Sequence, residues 1–427
     1  MHHVVMLFLL FIIFILIGIP IYIAMAFSSI IMLFVLDIPL SVLAVRLFGG
    51  IDSFTLMAIP FFILAGNIMI ESKITDKIVE FADSLVGRFK GGLGHVNILS
   101  SMIFAGIQGS GVADASAIGS IMIPSMIKQG YEKDYAVAVT ASSSTIGPII
   151  PPSIAMIMYG YYTELSVGKL FVGALLPGII VGIGLMIVNA IVFRRRNYRF
   201  KRIPCSLKEV LLKFFQSIGA LTMPLIIILG IMTGVFTPTE SGVAATVYGL
   251  FYGLVVTRRL KFRRLPKVIL QSANTTAIVM IILSVAGVFS QILTRLRFQR
   301  IIIDQVLSTF PNKYLATIAI IFVLIILGMF IDPSVLIVMF GSTVSSAGIV
   351  LGFDPIHFGV VMVIAIIMGA VTPPVGSMLY ISCSIAKLPI EKSIRILLPF
   401  ISVLFFVAIG VLFFPGMVTW INVLIFK

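Results

Sequence analysis

Cysteine is nearly missing: Cys205 and Cys383 are the only two in 427 residues, too few for a disulfide framework or a thiolate metal site. Redox chemistry has no footing here. Charge is scarce as well, at 11% of residues against 60% hydrophobic and a mean hydropathy of +1.19. No water-soluble domain has that balance. The four histidines, His2, His3, His95 and His357, are scattered. HExxH, GxSxG and aspartate-rich prenyl-phosphate patterns are lacking, so a membrane-embedded enzyme finds no support. No Walker A motif is found either, which removes ATP as the energy source of this chain.

What the chain has instead is long apolar runs, such as "MLFLLFIIFILIGIPIYIAMAF" and "FVGALLPGIIVGIGLMIVNAIVF", near the roughly 20 residues that cross a bilayer as a helix. They predict an all-α polytopic membrane protein. The first run has no basic segment before it and no small-residue cleavage site after it, so it reads as a retained helix rather than a signal peptide. The net charge of +14 does not imply nucleic acid, because the basic residues sit in short loops where membrane topology explains them.

The densest of these loops, "RRRNYRFKR" from Arg194 and "RRLKFRRLPK" from Arg258, are assigned to the cytoplasm. Counting spans backward puts Glu164 outside and returns "KQGYEKD" and "GRFKGG", with Arg88 and Lys90, to the cytoplasmic side. The segment between them, Leu99 to Met126, therefore enters and leaves on one face as a re-entrant hairpin. Counting forward puts "TRLRFQR" outside and predicts a second hairpin, from about Tyr314 to Val350, entering from that face. The segment "LDIPLSVLAVRLFGG" crosses or lies at the interface. Arg295, Arg297 and Arg300 break the positive-inside rule, either as a misassigned loop or as a basic collar facing an external partner or an anionic solute.

The chain also matches itself. At one offset of 222 residues Gly106 meets Gly328, Gly130 meets Gly352 and Gly147 meets Gly369. Pro151-Pro152 then meets Pro373-Pro374, and Leu176-Pro177 meets Leu398-Pro399. Two inverted-topology repeats follow, 1–202 and 203–427, each with a hairpin and a broken membrane helix: "ASSSTIGPIIPPS" in the first, "MGAVTPPVGSMLY" in the second.

Proline and glycine at those breaks unwind the helix and free its carbonyls. In lipid each freed group costs several kcal/mol unless something satisfies it. A desolvated Na⁺ is suited to that role, and the half-helix N-termini would point positive dipole ends at an anionic substrate. One sodium site is therefore expected at Ser101, Gly106, Ser144, Gly147 and the Ile150 carbonyl, and a second at Gly328, Gly369, Thr372 and Val375. The competing reading of these small residues is close helix packing. Asp114 and Asp332 lie at membrane depth, where an ionisable group is functional by default; for Asp332, just before Pro333, the second reading is a helix cap. Ser110 and Ser116 in the first hairpin, and Ser342, Thr343, Ser345 and Ser346 at the expected tip of the second, are candidate substrate contacts. Glu240 reads as a cap or loop residue.

Taken in order, "GSGVADASAIGSIMIP", "ASSSTIGPIIPPSI", "FTPTESG", "GMFIDPS" and "FDPIHFGVVMVIAIIMGAVTPPVG" resemble the large membrane subunit of tripartite ATP-independent periplasmic (TRAP) transporters across nearly the whole chain. The resemblance implies a multi-pass protein of the bacterial inner membrane. It also implies an ion-transporter fold of elevator type and sodium-coupled import of an organic acid such as a C4-dicarboxylate or sialic acid. Two partners come with it: a small membrane subunit and a periplasmic solute-binding protein. No cofactor is implied beyond Na⁺ as coupling ion. The chain departs from the family at "MFGSTVSSAGIV", where an apolar, proline-containing hairpin is usual. A self-sufficient sodium:anion symporter of the same architecture is the alternative.

Overall fold

The computed structural model describes residues 2–89, 91–196 and 206–426. Lys90, most of the basic loop after Arg196, Cys205 and the expected repeat boundary at 202/203 lie outside the described residues. Gly18, in the left-handed region, and Pro20 split the first apolar run into α1 (His2–Leu16) and α2 (Ile21–Val35), which pack on each other. Each has 15 residues. At 1.5 Å per residue that is about 22 Å, short of the roughly 30 Å hydrocarbon core, so the run is not the single straight crossing expected. In "LDIPLSVLAVRLFGG" only α3 (Ser41–Gly49) forms, too short to cross.

α4 (Ala58–Glu71) turns by 75° at Lys73 into α5 (Ile74–Val86). Asp76, Lys77, Glu80 and Asp83 make α5 unfit for hydrocarbon. It lies as an amphipathic arm, held to α11 (Leu207–Met232) by Lys213, whose ammonium donates to Glu80 at 2.8 Å. Lys213, and then Lys77, hold the Glu80 carboxyl below its ordinary range. The first hairpin is α6 (Gly92–Gln108) and α7 (Gly111–Lys128), and the first broken helix is α8 (Lys133–Ser143) and α9 (Ile154–Thr163). α10 (Val167–Arg195), α11 and α12 (Pro238–Phe251) follow. The order then recurs. α13 (Leu265–Arg295) turns at Arg297 into the arm α14 (Phe298–Thr309). α15 (Lys313–Gly328) and α16 (Pro333–Val350) form the second hairpin, and α17 (Pro355–Gly369) and α18 (Ser377–Ala386) the second broken helix. α19 (Ile390–Phe413) and α20 (Gly416–Ile425) complete the fold.

Contacts at the loops show which helix ends lie together. Arg196, at the end of α10, donates to both Asp134 oxygens (3.0 and 2.7 Å) in "KQGYEKD", and Asn189 reaches the Gly91 carbonyl in "GRFKGG". Both limbs of the first hairpin thus emerge at the end where α10 finishes. The second hairpin opens at the other end: Tyr159, near the far end of α9, packs against Gly341 and Gly359, and Lys313 lies 4.8 Å from the Phe353 ring centroid. The hairpins therefore enter from opposite ends. By length and composition α10, α11, α13, α16 and α19 suffice to cross a bilayer; α16 nevertheless serves as the return limb of a hairpin.

The halves interlock rather than sit side by side. α7 packs on α18 and α16 on α9, so the hairpin of each half covers the broken helix of the other. Hairpins and broken helices, with α10, α19 and α20, form one packed group; α1 to α5 and α11 to α13 form a second that flanks it, and the arms α5 and α14 pack on the hairpins as well. Gly328 and Gly369 meet backbone to backbone inside the first group, where a Cβ on Gly369 would stand 2.5 Å from the Gly328 Cα. A methyl group there has no room, while one at Gly410 meets nothing within 4 Å. Gly369→Ala should therefore cost on the order of 1–3 kcal/mol, read as a lower unfolding temperature in detergent, with Gly410→Ala unchanged. Equal melting of the two variants would show that the glycine contact is not tight.

Candidate functional site

The first break starts where Ser144, Thr145 and Ile146 form a 3₁₀ turn and ends at a cis Pro151-Pro152 bond. The second contains a cis Pro373-Pro374 bond at the equivalent position. In both, the first residue beyond the break hydrogen-bonds a hairpin tip: Ile154 N–H donates to Gly109 O at 3.2 Å, and Gly376 N–H to Met329 O at 3.0 Å. Gly109 has φ +65° and stands against the Pro152 carbonyl, so only glycine fits there.

Around the first break the structure gathers a fully buried polar cluster. Ser101 on α6 donates to Asp114 Oδ2 on α7 at 2.7 Å and lies 3.2 Å from Ser143 Oγ. Ser143 faces Asn97 Oδ1 at 3.1 Å, and Asn97 Nδ2 donates to Thr140 Oγ1 at 2.6 Å. Ser144 bonds the Thr140 carbonyl at 2.7 Å and also neighbours Asp114. Each hydroxyl has one proton, so Ser101 spends its own on Asp114, while donation from Ser143 runs the other way, through Asn97 to Thr140. Asp114 Oδ1 nevertheless has no partner, nor do the buried Ser100 and Ser142 hydroxyls. One carboxylate among hydroxyl and peptide oxygens suits a hard monovalent cation. No group of three or more His, Cys, Asp or Glu occurs among the described residues.

Of the first expected sodium set, the structure brings Ser101, Ser144 and Gly147 together, Gly147 standing against Ser110. Gly106 instead lies at a helix crossing, with Pro224 Cβ 2.8 Å from where its own Cβ would be, and the Ile150 side chain packs on Gly178. In the second set, Gly328 and Gly369 are each other's packing partners, Thr372 Oγ1 bonds Met368 O at 2.6 Å, and the Val375 side chain is exposed. Here the carbonyls of Ala370 and Thr372 converge on Gly376. At the offset of 222, Asn97, Ser101, Asp114, Thr140, Ser143 and Ser144 correspond to Ala319, Val323, Leu336, Met362, Ala365 and Ile366. The repeated backbone carries a polar cluster in one half only. Asn97, Thr140, Ser143 and Gln108 were missed by the sequence reading; the available signal was the helical spacing of Asn97 to Ser101 and of Thr140 to Ser144.

The substrate candidates divide. Ser110 and Asp332 are equivalent residues, capping α7 and α16. They line one cavity of about 100 Å³, together with Gln108, Ser334 and Thr275 of α13. Asp114 belongs to the buried cluster instead, and Ser116 is exposed away from the cavity. "FGSTVSSAGIV" is not the second tip. The tip is the turn from Gly328 to Asp332, and Ser342 lies ten residues along α16, about 15 Å away. Ser342 accepts from Gln299 of the arm, Ser346 bonds the Ser342 carbonyl, and Thr343 and Ser345 are buried in helix packing. The sequence misled because these hydroxyls satisfy themselves on the helix and its neighbours, leaving the apolar "GMFI" to turn.

A larger cleft, about 840 Å³, opens between the two packed groups at the end where Glu164 lies, lined by Arg46, Tyr161, Tyr162, Gln291 and Arg295. Arg295 therefore sits on the side to which its loop was assigned. Arg297 is the left-handed hinge into the arm, and Arg300 stands 3.9 Å from Asp304. Glu240 forms a capping box with Thr237, as expected.

Comparison with known proteins agrees with this geometry. Residues 8–417 match the family described as tripartite ATP-independent periplasmic transporter, DctM component. The sialic acid TRAP transporter large permease protein SiaM of Vibrio cholerae is 36% identical, covering 87% of each chain. The 2,3-diketo-L-gulonate large permease YiaN of Escherichia coli is also 36% identical, over 95% of this chain and 96% of its own. The C4-dicarboxylate large permease DctM of Pseudomonas aeruginosa is 35% identical, over 88% and 87%. In fold, the crystal structure of the Alcanivorax borkumensis YdaH transporter superposes with a TM-score of 0.63 over 90% of this chain and 89% of that one, at 12% identity. Family membership implies a tripartite system, with a small permease and a periplasmic binding protein as the other components. The chain belongs to the DctM family, as a multi-pass large permease of TRAP transporters in the bacterial inner membrane.

Proposed function

We propose that this permease couples inward movement of Na⁺ to import of an organic acid anion handed over by a periplasmic binding protein. The observation that carries the reading is Asp114, a fully buried carboxylate with a free oxygen among hydroxyls, beside a helix break at membrane depth. An uncompensated charge there is costly, and a bound cation compensates it. The second site is neutral: carbonyls at the second break and Thr372 supply oxygens without a charge. Relatives named for sialic acid, C4-dicarboxylates and 2,3-diketo-L-gulonate favour an organic acid as cargo.

An elevator movement fits the division into two packed groups. Few polar ties cross their boundary near the larger cleft: Tyr161 Oη donates to Gly49 O at 3.3 Å and Tyr162 Oη to Leu283 O at 3.1 Å. Sliding one group past the other breaks both bonds while keeping each site intact within its group.

Two measurements test the reading in vesicles carrying the permease with its small subunit and binding protein. First, uptake should follow an inward sodium gradient and vanish without the binding protein; accumulation that needs no binding protein would favour a self-sufficient symporter. Second, Asp114→Asn should raise the sodium concentration for half-maximal uptake by roughly ten- to a hundredfold, since hydrogen bonds to charge contribute about 1.5–3 kcal/mol. Ser144→Ala and Thr372→Ala should raise it less, by about two- to tenfold. Unchanged sodium curves in all three variants would remove both assignments.

A further inference from the structure

Resting on the reading of this chain as an importer of organic acids, we infer that the larger cleft is a waiting site for the incoming anion, in which Arg46 and Arg295 hold its carboxylate. The cleft measures about 840 Å³, and residues of both packed groups line it. The flanking group supplies both cations, Arg46 from α3 and Arg295 from the last turn of α13. Facing them, the other group supplies Tyr161, Tyr162 and Glu164. Arginine at this end runs against the positive-inside preference, so topology accounts for neither residue. Arg196 and Arg264 are paired with carboxylates, whereas neither Arg46 nor Arg295 has an ion pair among the described residues. Glu164 is the one carboxylate in the lining and pairs with neither; Asp52, near Tyr161, is outside the lining. A guanidinium's planar fork takes a carboxylate through two parallel hydrogen bonds, and cations on low-dielectric walls concentrate anions between them.

The cleft also lies on the path to the hairpin tips, because the two cavities share one helix. Thr275 and Val279 of α13 line the tip cavity, and Gly287, Ser290 and Thr294 line the cleft. Only about 12 Å of helix separates Val279 from Gly287. Between them stands the buried Leu283, whose carbonyl accepts from Tyr162 Oη at 3.1 Å. That bond closes the cleft toward the tips, and it is one of the two that sliding of the groups breaks. The wall carrying the cations is held by a tight backbone crossing. A Cβ on Gly50 would stand 3.3 Å from Leu283 O, one on Gly287 3.5 Å from Arg46 O, and Ser284 Oγ donates to Leu47 O at 2.5 Å. The crossing seats Arg46 against α13, and Arg295 follows about two turns beyond Gly287 on the way out. An anion held by the pair is therefore stopped behind the Tyr162 latch, one helix segment short of the tips.

The test uses the full-length permease in lipid vesicles, with Ser290→Cys as a reporter inside the cleft and the unsubstituted protein as background for the two native cysteines. Two membrane-impermeant methanethiosulfonates are added outside, one bearing a sulfonate and one a trimethylammonium group, each rate being normalised to that with a free thiol in solution. The anionic reagent should label Ser290→Cys at least about tenfold faster than the cationic one, the low end of what a focused field does for encounter rates. Changing both Arg46 and Arg295 to Gln should bring the two rates to within about threefold. Changing both to Lys should keep the preference, and Arg300→Gln, at the same end but outside the lining, should leave it unchanged. Succinate and sialic acid should slow the anionic labelling, while uncharged dimethyl succinate should not. Equal normalised rates with both arginines present, an unaltered ratio in the double Gln variant, or no protection by either acid would overturn the inference. Sodium-driven uptake in the companion assay does not depend on these rates, so its absence would instead remove the importer reading, and with it the identity of the held anion as cargo.

Discussion

A peptide group released from its helix inside a bilayer has no water to turn to, and that constraint organises this protein. Two helices are broken at membrane depth, by diprolines at 151–152 and 373–374. Their loose ends are tied first to the hairpin tips, Ile154 to Gly109 and Gly376 to Met329. The hairpins are then buried on the broken helix of the opposite half, α7 on α18 and α16 on α9. Each break is thus covered by its own hairpin and by a helix of the opposite half, which keeps its peptide groups away from lipid.

The duplication repeats the backbone more faithfully than the chemistry. Both hairpins have a capped return helix, and both arms begin at a left-handed residue, Lys73 and Arg297. Yet the Asn97–Ser101–Asp114 cluster maps onto Ala319, Val323 and Leu336, and Ser110 maps onto Asp332. A buried carboxylate among hydroxyls at one break and an uncharged set of carbonyls at the other are the result.

Amino-acid order alone determined a good deal. The apolar runs and basic loops fixed the class, and parity of sides fixed both re-entrant hairpins, because the cost of moving charge across a bilayer is a property of each segment by itself. The repeat was legible because glycine and proline act locally on the backbone.

Only the tertiary structure decided which polar groups stay free. Ser342, Thr343, Ser345 and Ser346 looked like a binding tip, but α16 continues through them and its neighbours occupy their hydroxyls or bury them. Gly106, Gly328 and Gly369 carried close packing as a second reading, and each does stand against proline or glycine carbon. Gln108 and Asn97 carried no motif, and matter because of what stands opposite them. Whether a hydrogen-bonding group is spent or available depends on partners distant along the chain, while the tendency to break a helix does not.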